Sequence, residues 1–127
     1  MRLQNKVAVI TGASLGIGSA IALALGKEGA AVAVDYRSHP GEAKEIVDQV
    51  EGSGGRAISV RADVSSAEDV KNLIQRAVRE FGRLDVMVNN AGMEEKMPFL
   101  DTPLDVWNRT IAVNLTGAWL GCQEAAR

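Results

Sequence analysis

The residues best placed for chemistry are clustered early, in Thr11-Gly12-Ala13-Ser14-Leu15-Gly16-Ile17-Gly18. Glycines at 12, 16 and 18 let the backbone turn tightly and approach a bulky anion, and a helix opening there aims unbonded N–H groups at it. Such a turn suits the diphosphate of a dinucleotide. An ordinary glycine-rich strand-to-helix turn has the same composition, so the motif depends on its context. Downstream stand Asp35, close to the distance of about 20 residues at which an acid accepts from a ribose 2′-hydroxyl, and then Asp63, Asn89-Asn90 and Asn114. The single histidine, His39, adjoins Pro40 and reads as a solvated loop residue; the single cysteine, Cys122, reads as a small apolar packing residue. No metal site is expected.

The elements that position these residues follow from periodicity. Residues 7–10 form an apolar run typical of a buried parallel strand, and 19–27 continue with a helical pattern that Gly29 stops. A second strand covers 30–34 and leads into Asp35-Tyr36-Arg37. Pro40-Gly41 then breaks the chain before a helix over 42–51, with Ala43, Ile46, Val47 and Val50 on one side. A third strand spans 57–60. Ser65 is placed to cap the next helix, with Glu68 completing a capping box. That helix is expected to bury Val70, Leu73, Ile74, Ala77, Val78 and Phe81 and to stop at Gly82. A fourth strand covers 84–88, a loop 93–101, and Pro103 opens a last helix running unbroken to 127. Four strands alternating with four helices predict one α/β domain over 1–127, a Rossmann-like doubly wound parallel sheet in the order 3-2-1-4. A ligand would lie at the carboxyl ends of strands one and four, where the order reverses.

Composition narrows the partners. The 127 residues are 46% hydrophobic and 24% charged, with a formal net charge of −2 and interleaved signs. That balance points away from nucleic acid or an anionic membrane surface. One cysteine allows no internal disulfide, and the first residues lack a signal-peptide apolar region, so a cytoplasmic location is expected.

Thr11-Gly-x-x-x-Gly-x-Gly18, Asp63-Val64, Asn89-Asn-Ala-Gly92 and Asn114-Leu-Thr-Gly117, in this order and spacing, resemble the short-chain dehydrogenase/reductase family. Residues 34–38 and 107–122 look most like bacterial glucose 1-dehydrogenases, followed by 3-oxoacyl-carrier-protein reductases. The resemblance implies that Gly12, Ser14, Gly16, Ile17 and Gly18 line the phosphate turn, chiefly through main-chain N–H groups. It also implies that Asp63 accepts from the adenine amino group beside Val64, and that Asn90, Ala91 and Gly92 lie along the adenosine ribose. Asn90 can equally be structural, and Asp63 a plain loop carboxylate. In the family register the discriminating acid falls at Tyr36, while Arg37, next to Ser38, lies where a guanidinium meets the 2′-phosphate of NADP. Leu15 fills a position where many NADP users carry a basic residue. The expected cofactor is NADP, with NAD tolerated.

Family chemistry employs a tyrosine as general acid/base, a lysine four residues on, a serine, and a helix asparagine holding a relay water. Asn114 matches the asparagine. The single tyrosine, Tyr36, is followed four residues on by Pro40, so no Tyr-x-x-x-Lys exists in the chain. The expectation is therefore a cofactor-binding N-terminal portion of an oxidoreductase acting on an alcohol or carbonyl, such as a sugar, truncated before the fifth strand and inactive alone. A reductase-like fragment or a non-catalytic nucleotide-binding module is the alternative. The free edge of strand four and the last helix lead one to expect a homo-oligomer, marginal stability, or both.

Overall fold

A computed structural model describes all 127 residues. The strands are β1 (Val7–Ile10), β2 (Ala31–Tyr36), β3 (Ala57–Arg61) and β4 (Val86–Val88), and all pair in parallel in the order β3-β2-β1-β4. Helices α1 (Gly16–Lys27), α2 (Pro40–Gly52) and α3 (Ala67–Phe81) make the crossovers. After β4 come a 3₁₀ turn (Phe99–Asp101), α4 (Leu104–Ile111), a π-helical turn (Ala112–Thr116) and α5 (Gly117–Ala126).

Alternation along the strands builds two cores, one on each face of the sheet. Ala8, Ile10, Val32 and Val34 point to one face, where Ala22 of α1 and Ala43, Ile46 and Val50 of α2 cover them. Val9, Ala33 and Val60 point to the other, under Leu73, Ile74 and Ala77 of α3. Coverage on both faces explains why β1 and nearly all of β2 are apolar without interruption. A third cluster, Val64, Val70, Val113 and Leu120, joins the α3 side to the last helical segments below the site.

Several local expectations shift. The N-cap of α3 is Ser66, whose hydroxyl accepts from the Asp69 amide at 3.2 Å, because Ser65 is turned toward Asp63 instead. Gly82 closes α3 in the left-handed conformation, as its sequence position implies. Val78 is exposed rather than buried, and Phe81 is half-buried with the Arg56 guanidinium 5.2 Å from its ring centre. Pro40 does not interrupt the chain before α2 but begins that helix, a position where its missing N–H costs nothing. The final helical stretch is continuous over 104–126, as the pattern implies, and is widened by one π turn at Ala112–Thr116 that contains Asn114. Trp107 and Trp119 are exposed, as are Leu100, Leu104 and Leu115. Cys122 is exposed too and accepts from the Asn89 side-chain amide at 3.4 Å. Asp85, just ahead of β4, accepts from the Val7 amide at 2.9 Å and from Arg83 through both carboxylate oxygens.

Candidate dinucleotide-binding site

The order reversal between β1 and β4 opens a cleft of about 420 Å³ at the carboxyl ends of the strands. One wall is the β1–α1 turn. Gly12 has φ +60°, and a Cβ there would meet the Ala91 Cα at 2.9 Å, so only glycine lets this turn pass so close to the end of β4. A Cβ on Gly18 would run into the Gly12 carbonyl oxygen and stand 2.5 Å from the Asn90 side-chain nitrogen. Gly18 thus seats the first turn of α1 against β4.

Side chains lock this arrangement. The Thr11 hydroxyl accepts from the backbone amides of Asn90 and Ala91, each at 2.9 Å. The Asn90 amide side chain donates to the carbonyls of Thr11 and Gly12, each at 3.1 Å. Asn90 therefore holds two strand ends together while still lining the cleft. Thr11 is 3% exposed and acts as the clasp.

The turn's N–H groups divide into two sets. Gly12 donates to Asp35 Oδ2 at 3.1 Å and Ala13 to the Asp35 carbonyl at 2.8 Å. The amides of residues 14–18 have no acceptor within the protein. Gly12 accordingly contributes shape, and the free donors begin at Ser14. A row of unbonded N–H groups at a helix start, beside an open cleft, is a ready anion cradle.

Of the residues singled out in the sequence, Gly12, Ser14, Leu15, Ile17, Arg37, Ser38, Asp63, Val64, Asn90, Ala91 and Gly92 line the cleft. Gly16, Gly18 and Tyr36 do not; Gly16 supplies a turn at φ +59°, and Tyr36 packs against the α1–α2 core. Asn114 borders an adjoining hollow of about 360 Å³ with Glu94, Glu95, Thr102, Trp107 and Thr110. Its carboxamide accepts from the Met93 amide at 2.7 Å and donates to the Met93 carbonyl at 2.9 Å, tying the loop after β4 to the π turn. Met93 lines both spaces.

Five further residues line the cleft, namely Asp35, weighed in the sequence as a ribose acceptor, with His39, Ala62, Met93 and Val113. His39, read as a plain surface residue, is exposed but reaches the cleft rim; only its nearness to Arg37 hinted at this. Asp35 forms part of the floor and is 2% exposed. Burial pushes its carboxyl up to about 7, the Gly12 hydrogen bond opposing the rise and the Asp63 charge adding to it. Asp63 is held below its ordinary value, first by the Ser65 hydroxyl at 2.6 Å and more weakly by Arg37 and Arg61. It is therefore an acceptor at neutral pH. The Arg37 Nε lies 3.8 Å from Asp63 Oδ2, an exposed pairing that costs little to separate.

A parallel doubly wound sheet with an anion cradle at its switch point defines a dinucleotide-binding α/β domain. The model for short chain dehydrogenases matches residues 6–127, and the chain belongs to that family. It is 46% identical over 126 residues to an uncharacterized oxidoreductase of Methylorubrum extorquens, covering 99% of this chain and 51% of the relative. Glucose 1-dehydrogenase 2 of Bacillus subtilis is 46% identical over 125 residues, covering 97% and 48%. Among solved structures, a short chain dehydrogenase from Burkholderia cenocepacia in complex with NADP superposes with a TM-score of 0.98 at 40% identity, over 100% of this chain and 52% of that one. The chain spans about half the length of the curated relatives it matches.

Proposed function

We propose that this chain is the cofactor-binding portion of an NAD(P)-dependent oxidoreductase that interconverts an alcohol and a carbonyl compound, with NADP preferred and NAD tolerated. The observation that carries the reading is the run of unbonded amides at 14–18, of which Ser14, Leu15 and Ile17 belong to residues lining a cleft that Arg37 also lines. These donors fit a diphosphate, and the planar Arg37 fork fits a 2′-phosphate. Asp63, kept ionised, accepts from an exocyclic amine such as that of adenine. Ala91 and Gly92 leave room for a ribose, and Asn90 keeps that wall in place. When bound, the nicotinamide supplies the hydride. Asn114 uses one acceptor site and one N–H on Met93, leaving a lone pair and a second N–H for a relay water at the adjoining hollow.

A sugar is the substrate favoured by the likeness to glucose 1-dehydrogenase 2. The hollow beside Asn114 is also lined by Glu94 and Glu95, of which only Glu95 is paired, to Arg109 at 3.3 Å. That lining disfavours an acidic carrier protein, and with it the 3-oxoacyl-carrier-protein alternative. The exposed apolar residues of α4 and α5 and the open edge of β4 support self-association, and a lone free cysteine accords with the cytoplasm. The test is a fluorescence titration of NADPH against NADH. Arg37→Ala is expected to weaken NADPH by about tenfold to a hundredfold, the worth of a charge-assisted contact, and NADH by much less. Equal losses for the two cofactors would refute the 2′-phosphate role.

A further inference from the structure

We propose that Asp35 is the positioning residue of the phosphate turn and that it takes up a proton when a dinucleotide seats on that turn. The inference rests on the cofactor reading above and adds a chemical step to it. Asp35 grips the turn twice, through Oδ2 on the Gly12 amide and through its carbonyl on the Ala13 amide. Its Oδ1 is buried and has no hydrogen-bond partner, although the residue forms part of the cleft floor. A buried carboxylate oxygen without a donor is a costly group, and neutralisation relieves that cost.

The charges around Asp35 can be named from every side. Beyond its own strand stand Arg37 and His39, and from β3 and the loop after it come Arg61 and Asp63. Neither the turn at 11–18 nor the β4 end at 89–93 contributes a titratable side chain. Burial favours the neutral carboxyl most strongly, the Gly12 and Ala62 amides oppose it, and Asp63 and Arg61 add smaller contributions of opposite sign, which leaves the group balanced near neutral pH in the free chain. A diphosphate brought to the amides of 14–18 adds negative charge to the same cleft without adding a donor for Oδ1. Binding therefore draws a proton from solvent onto Oδ1 in the fraction of molecules whose carboxyl is ionised, while Oδ2 keeps the Gly12 hydrogen bond and the turn keeps its shape.

The experiment is calorimetric titration of NADP⁺ and NAD⁺ into the chain, in buffers of different ionisation enthalpy, between about pH 6 and pH 8.5. NAD⁺ is included because a phosphate monoester itself titrates near pH 6. The expected result is net proton uptake near neutral pH with both ligands, and affinity falling by about tenfold over the range for each unit by which binding raises the carboxyl. Asp35→Asn keeps an acceptor for Gly12 and is expected to abolish the uptake and to bind more tightly than the parent at high pH. Uptake is expected to persist in His39→Gln, which excludes the histidine as its source. If Asp35→Asn does not fold, the ¹³C titration of the Asp35 carboxyl in the parent decides, and a midpoint below about pH 5 overturns the proposal. Binding without proton uptake, or uptake unchanged in Asp35→Asn, defeats this inference and leaves the cofactor reading standing. No binding of either dinucleotide at any pH defeats both.

Discussion

Replacing Thr11 with valine keeps the shape of the side chain and removes one oxygen. That oxygen accepts from the Asn90 and Ala91 amides at 2.9 Å, and it is the only acceptor the Ala91 amide has. Asn90 retains a second acceptor, the Val88 carbonyl at 3.1 Å, so its amide is weakened rather than orphaned. Leaving one part-buried donor unmade costs about 1–3 kcal/mol, and a lost shared bond about 0.5–1.5, which puts Thr11→Val between about 1.5 and 4.5 kcal/mol. The measurement is the shift in urea midpoint at constant slope. Thr11→Ser keeps the oxygen and loses a methyl group, so it is expected to cost no more than about 1 kcal/mol. Because the clasp joins the end of β4 to the phosphate turn, Thr11→Val is also expected to weaken dinucleotide binding more than Thr11→Ser does. A valine variant within about 0.5 kcal/mol of the parent, or a serine variant equally damaged, would refute the reasoning.

Three further outcomes are expected. Gly18→Ala, whose methyl would press on the Gly12 carbonyl, the Asn90 amide and the Ala13 Cα at 2.9 Å, should lower stability by about 1–3 kcal/mol or more in a thermal melt, whereas a silent substitution would mean the turn has slack. Asn114→Ala removes both hydrogen bonds to Met93, so hydrogen exchange at the Met93 amide should accelerate with a loss of about 1–2 kcal/mol. The pH dependence of stability follows from Asp35. Between 3.8, its ordinary value, and about 7 the folded chain holds a proton that the unfolded chain has released, so stability falls as pH rises through that window. The ceiling is about 4 kcal/mol. Asp35→Asn should flatten the slope relative to the parent, and parallel pH curves for the two proteins would contradict the burial argument.

Much of the architecture was legible because it rests on local pattern. Uninterrupted apolar strands announce burial on both faces, and right-handed crossovers leave few sheet orders open to four such strands. The glycine turn could be read for the same reason, since positive φ at Gly12 and Gly16 is a property of residue type. The buried face of α3 followed from helical spacing at Val70, Leu73, Ile74 and Ala77, but Val78 and Phe81 lie at the margin of that stripe, where facing elements determine the burial. Choosing Ser65 over Ser66 as the cap failed because the two are equivalent in composition. Only the turn at Asp63 decides which hydroxyl is free to cap.

The site divides in the same way. Residue types and spacing alone predicted a parallel α/β domain with a tight glycine turn after its first strand, because these depend on steric preference and hydrophobic period within short stretches. The tertiary structure decided which amides of that turn are free, since Gly12 is claimed by a carboxylate 23 positions away in the chain. It also decided that Asn114, within the π turn of the last helix, bonds a loop 21 positions earlier. Hydrogen bonds between distant segments leave no periodic trace, so their partners emerge only when the sheet brings the strand ends together.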